Sequence, residues 1–133
     1  MYDLKRVRER YIEAELANYH RTKKELEEIE RDIIFGSDRR FKERLDSGRI
    51  SDSTADRAIA LLEHRKLERL RRIVRAIEAA YEEMTEEQRR IVHMRYWTRP
   101  PREWKEIAKV MSYSERQVYN FRNKLLQMID SRL

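Results

Sequence analysis

The last third of the chain carries forked polar side chains at the spacing of one helix face. At about 100° per residue, a helix that begins after Ser114 turns Val118, Phe121 and Leu125 to one side. The other side then presents five polar or aromatic residues, which are Arg116, Gln117, Tyr119, Asn120 and Asn123. In the major groove of DNA, arginine pairs with guanine, and asparagine and glutamine pair with adenine. These five residues are therefore candidates for contacts to bases, and a polar face that meets only solvent is the alternative.

Position along that helix separates the candidates. In helices that enter a major groove, the N-terminal turns approach the base edges most closely. Arg116, Gln117 and Asn120 are therefore the preferred residues for base readout. Cationic and hydroxyl side chains nearby suit the phosphate backbone, and the predicted phosphate contacts are Arg102, Lys105, Lys109, Ser114, Arg122 and Lys124.

The charge distribution points to the same part of the chain. The whole sequence carries a net charge of +6. Residues 1–88 hold 20 basic and 21 acidic side chains, whereas residues 89–133 hold 11 basic and 4 acidic ones. A polyanion would therefore bind the C-terminal third. Charge alone is equally compatible with a basic surface that only aids solubility.

The residues before this helix have the spacing of a helix-turn-helix. Ala108 supplies the small side chain that is needed where two helices cross. Ser112 stands four residues later, where the turn favours a residue that tolerates left-handed geometry. Val118 supplies the β-branched plug, and a small core is completed by Ile107, Met111, Phe121 and Leu125. An ordinary helical hairpin has similar spacing and is the alternative.

Two capping boxes delimit the helices of this region. Thr85 followed by Gln88 predicts a helix over about 86–97, and Ser114 followed by Gln117 predicts one that ends near Ile129. Between them, a helix is expected from about Arg102 to Met111.

Two longer helices are predicted before residue 84. Apolar residues at spacings of three, four and seven predict a helix over about 4–34 and another over about 54–83. Gly36 and its neighbours are expected to stop the first helix, so that residues 35–52 form a connector that reverses the chain. The simplest packing is an antiparallel hairpin of long helices.

The composition supports an all-α fold and excludes several classes of protein. Ala, Glu, Lys, Leu and Arg make up 69 of the 133 residues, and there are only 2 glycines and 2 prolines. With no cysteine, the chain has no disulfides and no thiolate metal sites, which fits a reducing cytoplasm. The histidines lack ligand spacing, and no carboxylate pair stands near a base. We therefore expect no metal, no cofactor, no membrane association and no enzymatic activity.

Residues 84–126 resemble region 4 of bacterial sigma factors. The likeness lies in Met-Thr-Glu-Glu-Gln-Arg-Arg-Ile-Val-His-Met-Arg-Tyr-Trp, Trp-Lys-Glu-Ile-Ala-Lys-Val-Met and Ser-Glu-Arg-Gln-Val-Tyr. A long helical N-terminus before such a module is similar to the ArpU/RinA-type regulators of phages and prophages of Gram-positive bacteria. The resemblance implies sequence-specific binding to double-stranded DNA, contact with RNA polymerase and activation of phage late genes. Ser112 and the Pro100-Pro101 pair depart from the common pattern.

The sequence thus predicts a helical hairpin over 1–84, for oligomerisation or partner binding, and a helix-turn-helix DNA-binding domain over 85–133. A homo-oligomer is expected, with a dimer favoured. Two other functions stay open at this point. One is a small-terminase-like subunit that recognises DNA for packaging, and the other is a helical interaction module that does not read DNA.

Overall fold

The computed structural model describes residues 3–47 and 53–133, and the side chains of residues 3–34 and 54–133. The described residues form six α-helices and no strand, so the all-α prediction is confirmed. The helices are α1 (Leu4–Ala17), α2 (Tyr19–Ser47), α3 (Ser53–Glu83), α4 (Glu86–Arg95), α5 (Trp104–Met111) and α6 (Glu115–Asp130).

The predicted helix over 4–34 is two helices, and the break lies at Asn18. The backbone of Asn18 has φ −91° and ψ 5°, outside the α-helical region. Its N–H still donates to the carbonyls of Ala14 and Leu16, so the last turn of α1 is closed. Asparagine favours such terminal positions because its short amide competes for backbone hydrogen bonds. The apolar periodicity runs across the break and therefore gave no sign of it.

The predicted stop at residues 35–38 is also wrong, since α2 continues through Gly36 to Ser47. One glycine inside a helix costs only about 1 kcal/mol relative to alanine. The residues that follow are mostly good helix formers and outweigh that cost. They are Arg39-Arg40-Phe41-Lys42-Glu43-Arg44-Leu45. Of the predicted connector, residues 48–52 lie outside the described part of the chain.

The packing divides the chain into two compact units. The first comprises Met1–Tyr19 together with Ile73–Leu133, and the second comprises His20–Arg72. Residues 73–84 thus group by packing with the C-terminal helices, whereas the boundary predicted from the sequence lies at residue 84. The boundary at residue 84 was predicted from function, with self-association before it and DNA binding after it. The packing does not test that division, which stays a prediction.

The first unit has a continuous apolar core to which α1, α4, α5, α6 and the end of α3 contribute. Its largest fully buried side chains are Ile12, Leu16, Ile77, Ile91, Val92, Ile107, Val118, Leu125 and Ile129. Burying one such aliphatic side chain stabilises the fold by about 1.5–3 kcal/mol. Helix α1 packs against α6 within this core, although the two helices lie at opposite ends of the sequence.

The second unit is held by a thinner apolar stripe and by ion pairs between α2 and α3. Glu25 pairs with Lys66 at 2.8 Å, and Glu30 pairs with Arg71 at 3.1 Å. The hydrogen bond to Glu30 raises the pKa of Arg71. Among the side chains of this unit described at 20–34 and 54–72, the buried ones are Thr22, Leu26, Leu67 and Leu70. Ile33, Ile59 and Leu62, which the apolar pattern places in the same stripes, are at least half exposed.

Both predicted capping boxes are present. The Thr85 hydroxyl accepts from the Gln88 N–H at 3.2 Å, and the Gln88 side chain accepts from the Thr85 N–H at 2.9 Å. Ser114 and Gln117 make the same pair of bonds at 3.1 and 2.8 Å. Such caps satisfy backbone donors that a helix start otherwise leaves unpaired. They fix the starts of α4 and α6 at the positions that the sequence predicts.

Candidate nucleic-acid interface

A tight turn positions α6 against α5. Ser112 adopts the left-handed conformation, with φ 58° and ψ 37°, as the spacing predicts. The N–H of Ser112 donates to the Lys109 carbonyl at 3.2 Å, and the N–H of Tyr113 donates to the Ala108 carbonyl at 2.9 Å. These bonds close the end of α5 and redirect the chain within three residues, before α6 begins.

The crossing of α5 and α6 is closely packed. Ala108 is 4 % exposed and Val118 is 1 % exposed, so the small residue and the β-branched residue both lie in the core. Ile107 and Leu125 are completely buried. Phe121 is half-buried, and its ring stacks on that of Tyr113 at a centroid distance of 5.4 Å. This packing fixes which face of α6 is turned outward.

Four of the five predicted base-contacting residues lie on the exposed face of α6. Arg116, Gln117, Tyr119 and Asn120 are exposed, whereas Asn123 is half-buried. The Gln117 side-chain oxygen already accepts the Ser114 N–H, whereas its amide NH₂ group is free to donate to a ligand. Arg116 and Asn120 are one helical turn apart and therefore lie on the same stripe of the helix.

The predicted phosphate contacts separate into an exposed group and one exception. Exposed side chains are found at Arg102, Lys105, Lys109, Ser114 and Lys124. The hydroxyl of Ser114 serves as the cap of α6, and the Arg102 carbonyl accepts a bond from Arg95 at 3.0 Å. The exception is Arg122.

Arg122 is directed at α1, away from the exposed face. Its guanidinium donates to Glu13 at 2.5 Å and to Glu9 at 3.3 Å, and its side chain is only 12 % exposed. It also donates to the amide oxygen of Asn123 at 2.9 Å. Because two carboxylates already neutralise Arg122, we remove it from the set of phosphate contacts.

Glu13 joins Arg122 to a buried tyrosine. The hydroxyl of Tyr96, at the end of α4, donates to the second carboxylate oxygen of Glu13 at 2.7 Å. Burial raises the pKa of Tyr96 far above its usual value, and the hydrogen bond and charge of Glu13 raise it further. Burial lowers the pKa of Arg122, but the hydrogen bond and charge of Glu13 outweigh that effect and raise it overall.

The sequence did not predict this network, which ties α1 to α6. A signal was available, because Glu9 and Glu13 share one face of α1 with the buried Ile12 and Leu16. Carboxylates on a buried helix face require cationic or hydroxyl partners. The sequence did not indicate which of its many cations would supply them.

A family model described as "Protein of unknown function (DUF722)" matches residues 10–131. The chain belongs to the DUF722 family. No curated protein and no solved structure matches the chain.

The DUF722 match runs from α1 to the end of α6, so it includes Glu13 and Tyr96 as well as the exposed face of α6. The same matched region contains both tryptophans. The Trp97 indole N–H donates to the Leu16 carbonyl at 2.9 Å, and its ring stacks on that of Tyr19. Trp104 meets Tyr96 edge to face, with Arg95 over its ring at 5.1 Å. Both tryptophans therefore pack within the first unit.

The remaining predictions about ligands concern metals and membranes. Among the side chains described at 3–34 and 54–133, no three His, Asp or Glu residues are grouped so that they could hold a metal ion. No helix in the described part of the chain is both long and apolar enough to cross a bilayer.

Proposed function

We propose that this chain is a sequence-specific DNA-binding regulator of transcription, in which α5, the turn at Ser112 and α6 act as a helix-turn-helix. The observation that carries the proposal is the exposed face of α6. It presents Arg116, Tyr119 and Asn120 to solvent on a helix whose opposite face is buried in the core. A rigid helix with a row of forked polar groups suits the major groove, which admits one α-helix.

Contacts to bases are assigned to the N-terminal half of this face. Arg116 reads guanine through its two parallel donors, and Asn120 reads adenine through its amide. Tyr119 and the Gln117 amide group extend the contact, and half-buried Asn123 lies at its edge. Glu115 is the one acidic residue in the first turn of α6, so the reading surface carries little negative charge.

Contacts to the DNA backbone are assigned to cations around this face. Lys105 and Lys109 lie on the exposed side of α5, Lys124 lies on α6, and Arg102 precedes α5. None of these four side chains forms an ion pair among the described residues, so their charges are available to phosphates. Contacts of this kind give affinity that depends on salt but not on sequence.

The biological role that we propose comes from the resemblance to sigma factor region 4 and to ArpU/RinA-type regulators. On that basis we propose activation of phage or prophage late genes, with RNA polymerase as a second partner. Residues 85–133 would bind DNA, and residues 1–84 would serve self-association.

The test begins with selection of bound sequences from a random duplex pool, followed by affinity measurements on the selected site and on scrambled DNA. Replacing Arg116 by alanine should weaken binding to the selected site by about 1–3 kcal/mol and relax the preference at one base pair. Arg90, an exposed arginine on α4, provides the matched control. Its replacement by alanine should leave the base preference unchanged.

Two outcomes would count against the proposal. Equal losses on the selected and the scrambled duplex would show that Arg116 meets phosphate and does not read a base. If the random pool yields no enriched sequence, the chain is not a sequence-specific regulator, and the interaction module becomes the better interpretation.

A further inference from the structure

The outer face of α1 carries an apolar stripe that the fold leaves uncovered. Leu4, Val7 and Tyr11 are 77 %, 49 % and 40 % exposed, and Ala14 is exposed as well. On the opposite face of the same helix, Ile12 is 2 % exposed. α1 is therefore apolar on two sides, and only one side is used within the first unit.

The spacing of this stripe is that of a two-helix seam. The four residues are separated by three, four and three positions, which is the alternation of a and d positions in a heptad repeat. Single exposed apolar residues are common on protein surfaces, but a row of them at seam spacing is typical of an interaction site. With Leu4 at an a position, Asp3 and Arg10 occupy the flanking g positions, and Arg8 and Glu15 occupy the flanking e positions.

We infer that this stripe binds α1 of a second copy of the chain, with the two helices parallel. In a parallel pair each g residue lies opposite the e residue of the next heptad on the partner helix. Asp3 then faces Arg8 of the second copy, and Arg10 faces its Glu15. Both pairs are of opposite charge, but Arg8 is already held by Asp130 of its own chain at 2.8 Å. The attraction across the seam therefore comes from Arg10 and Glu15, which the two-fold symmetry of a dimer pairs twice.

The antiparallel arrangement does not give the same match. There, g positions lie opposite g positions and e positions lie opposite e positions. Near the middle of the seam, Arg10 would meet Arg10 of the second copy and Arg8 would meet Arg8. Like charges at such positions act against the pairing.

Two charged residues without an ion pair in the described part of the chain, and a helix that is already folded, both favour association of α1 with a second copy. In the described residues neither Arg10 nor Glu15 forms an ion pair, so both are available to a second copy. Two heptads alone would be marginal as an isolated coiled coil. Here α1 is already folded against α6, because Arg8 binds Asp130 at 2.8 Å and Glu13 binds Arg122. Association therefore does not have to order the helix, although the short seam predicts a weak dimer. This inference does not depend on DNA binding.

The test is sedimentation equilibrium on the full chain without DNA, with four variants. Arg10→Glu and Glu15→Arg each turn two attractive pairs into repulsive ones and should raise the dimer dissociation constant about tenfold. An equimolar mixture of these two variants restores opposite charges across the seam, so a heterodimer of near wild-type affinity is expected. Val7→Ser should weaken the dimer through loss of apolar contact.

Lys5→Glu is the matched control, because it changes the same charge on the same helix away from the seam. It should leave the dissociation constant within about twofold of wild type. Circular dichroism of each variant checks that the helices stay folded. A chain that is monomeric up to millimolar concentration would overturn the inference. A dissociation constant that Arg10→Glu and Val7→Ser leave unchanged would overturn it too. So would a mixture of the two charge variants that does not recover near wild-type affinity.

Discussion

Glu13 is the residue through which three separate parts of the sequence meet. One carboxylate oxygen accepts from Arg122 of α6, and the other accepts from the Tyr96 hydroxyl at the end of α4. Removing part of a carboxylate from water is costly unless such donors satisfy it. The contact therefore stabilises one arrangement of α1, α4 and α6, and it orients the helix that we propose reads DNA.

We expect the unfolding free energy to depend on pH through the phenol group of Tyr96. Because folding raises its pKa, the folded protein keeps the phenol proton at pH values where the unfolded chain loses it. The stabilisation is complete below about pH 10, the usual pKa of tyrosine, and is lost as the pH rises above it. Wild type should lose up to about 1.4 kcal/mol of unfolding free energy per pH unit from this group.

Urea unfolding between pH 9 and 11.5 measures this effect. Tyr96→Phe should show a smaller decrease with pH than wild type, although it is less stable at pH 7 through loss of the bond to Glu13. Tyr119→Phe, at an exposed position, is the control and should follow wild type. Parallel pH profiles for Tyr96→Phe and wild type would contradict the assignment.

The turn between α5 and α6 is the element on which the orientation of α6 depends. Ser112 is the one non-glycine residue with positive φ among the described residues. A left-handed conformation costs an ordinary residue roughly 1–2 kcal/mol, because Cβ crowds the following carbonyl oxygen. The surrounding core, including Ala108 and Val118, holds the turn in spite of that cost.

Ser112→Gly should therefore stabilise the chain. The gain should be about 0.5–1 kcal/mol, after allowing for the extra freedom of glycine in the unfolded state. Ser131 provides the control, since it also follows a helix but has right-handed geometry, with φ −63° and ψ −15°. Ser131→Gly should lose stability. Denaturant midpoints compare the two variants, and a destabilised Ser112→Gly chain would show that the serine hydroxyl matters more than the backbone.

The charge of the whole molecule is divided unevenly along the chain. The near balance of residues 1–88 leaves the +7 excess of residues 89–133 as the field that a polyanion would meet. The network around Arg122 uses one of these cations for internal pairing. The cations that remain exposed, such as Lys109 and Lys124, determine how steeply any DNA affinity would depend on salt.

We expect the salt dependence of DNA affinity, measured on single-residue variants, to show which of those cations contact phosphate. A plot of log affinity against log salt concentration should lose about 0.9 of its slope when one phosphate contact is removed. Lys124→Ala should do this equally on selected and scrambled duplexes. Lys24→Ala, an exposed lysine in the near-neutral part, is the control. An unchanged slope for Lys124→Ala would remove that residue from the interface.

Much of the local structure could be predicted from the sequence. The capping boxes at Thr85 and Ser114, the left-handed turn at Ser112 and the burial of Val118 all follow from signals within a few residues of one another. The same local rules failed at Asn18 and Gly36. At both positions a weak preference of one residue competed with the helical tendency of its neighbours, and single-residue propensities differ by only about 1 kcal/mol.

The sequence by itself determined the all-α class, the starts of α4 and α6 and the polar composition of the α6 face, because these depend on periodicity and on contacts between near neighbours. Only the tertiary structure decided that Arg122 belongs to Glu13, a residue 109 positions earlier in the chain. It also decided that the stripe beginning at Leu4 faces solvent. Among 31 cations and 25 carboxylates, only the packing of the helices determines which charges meet and which apolar faces stay uncovered.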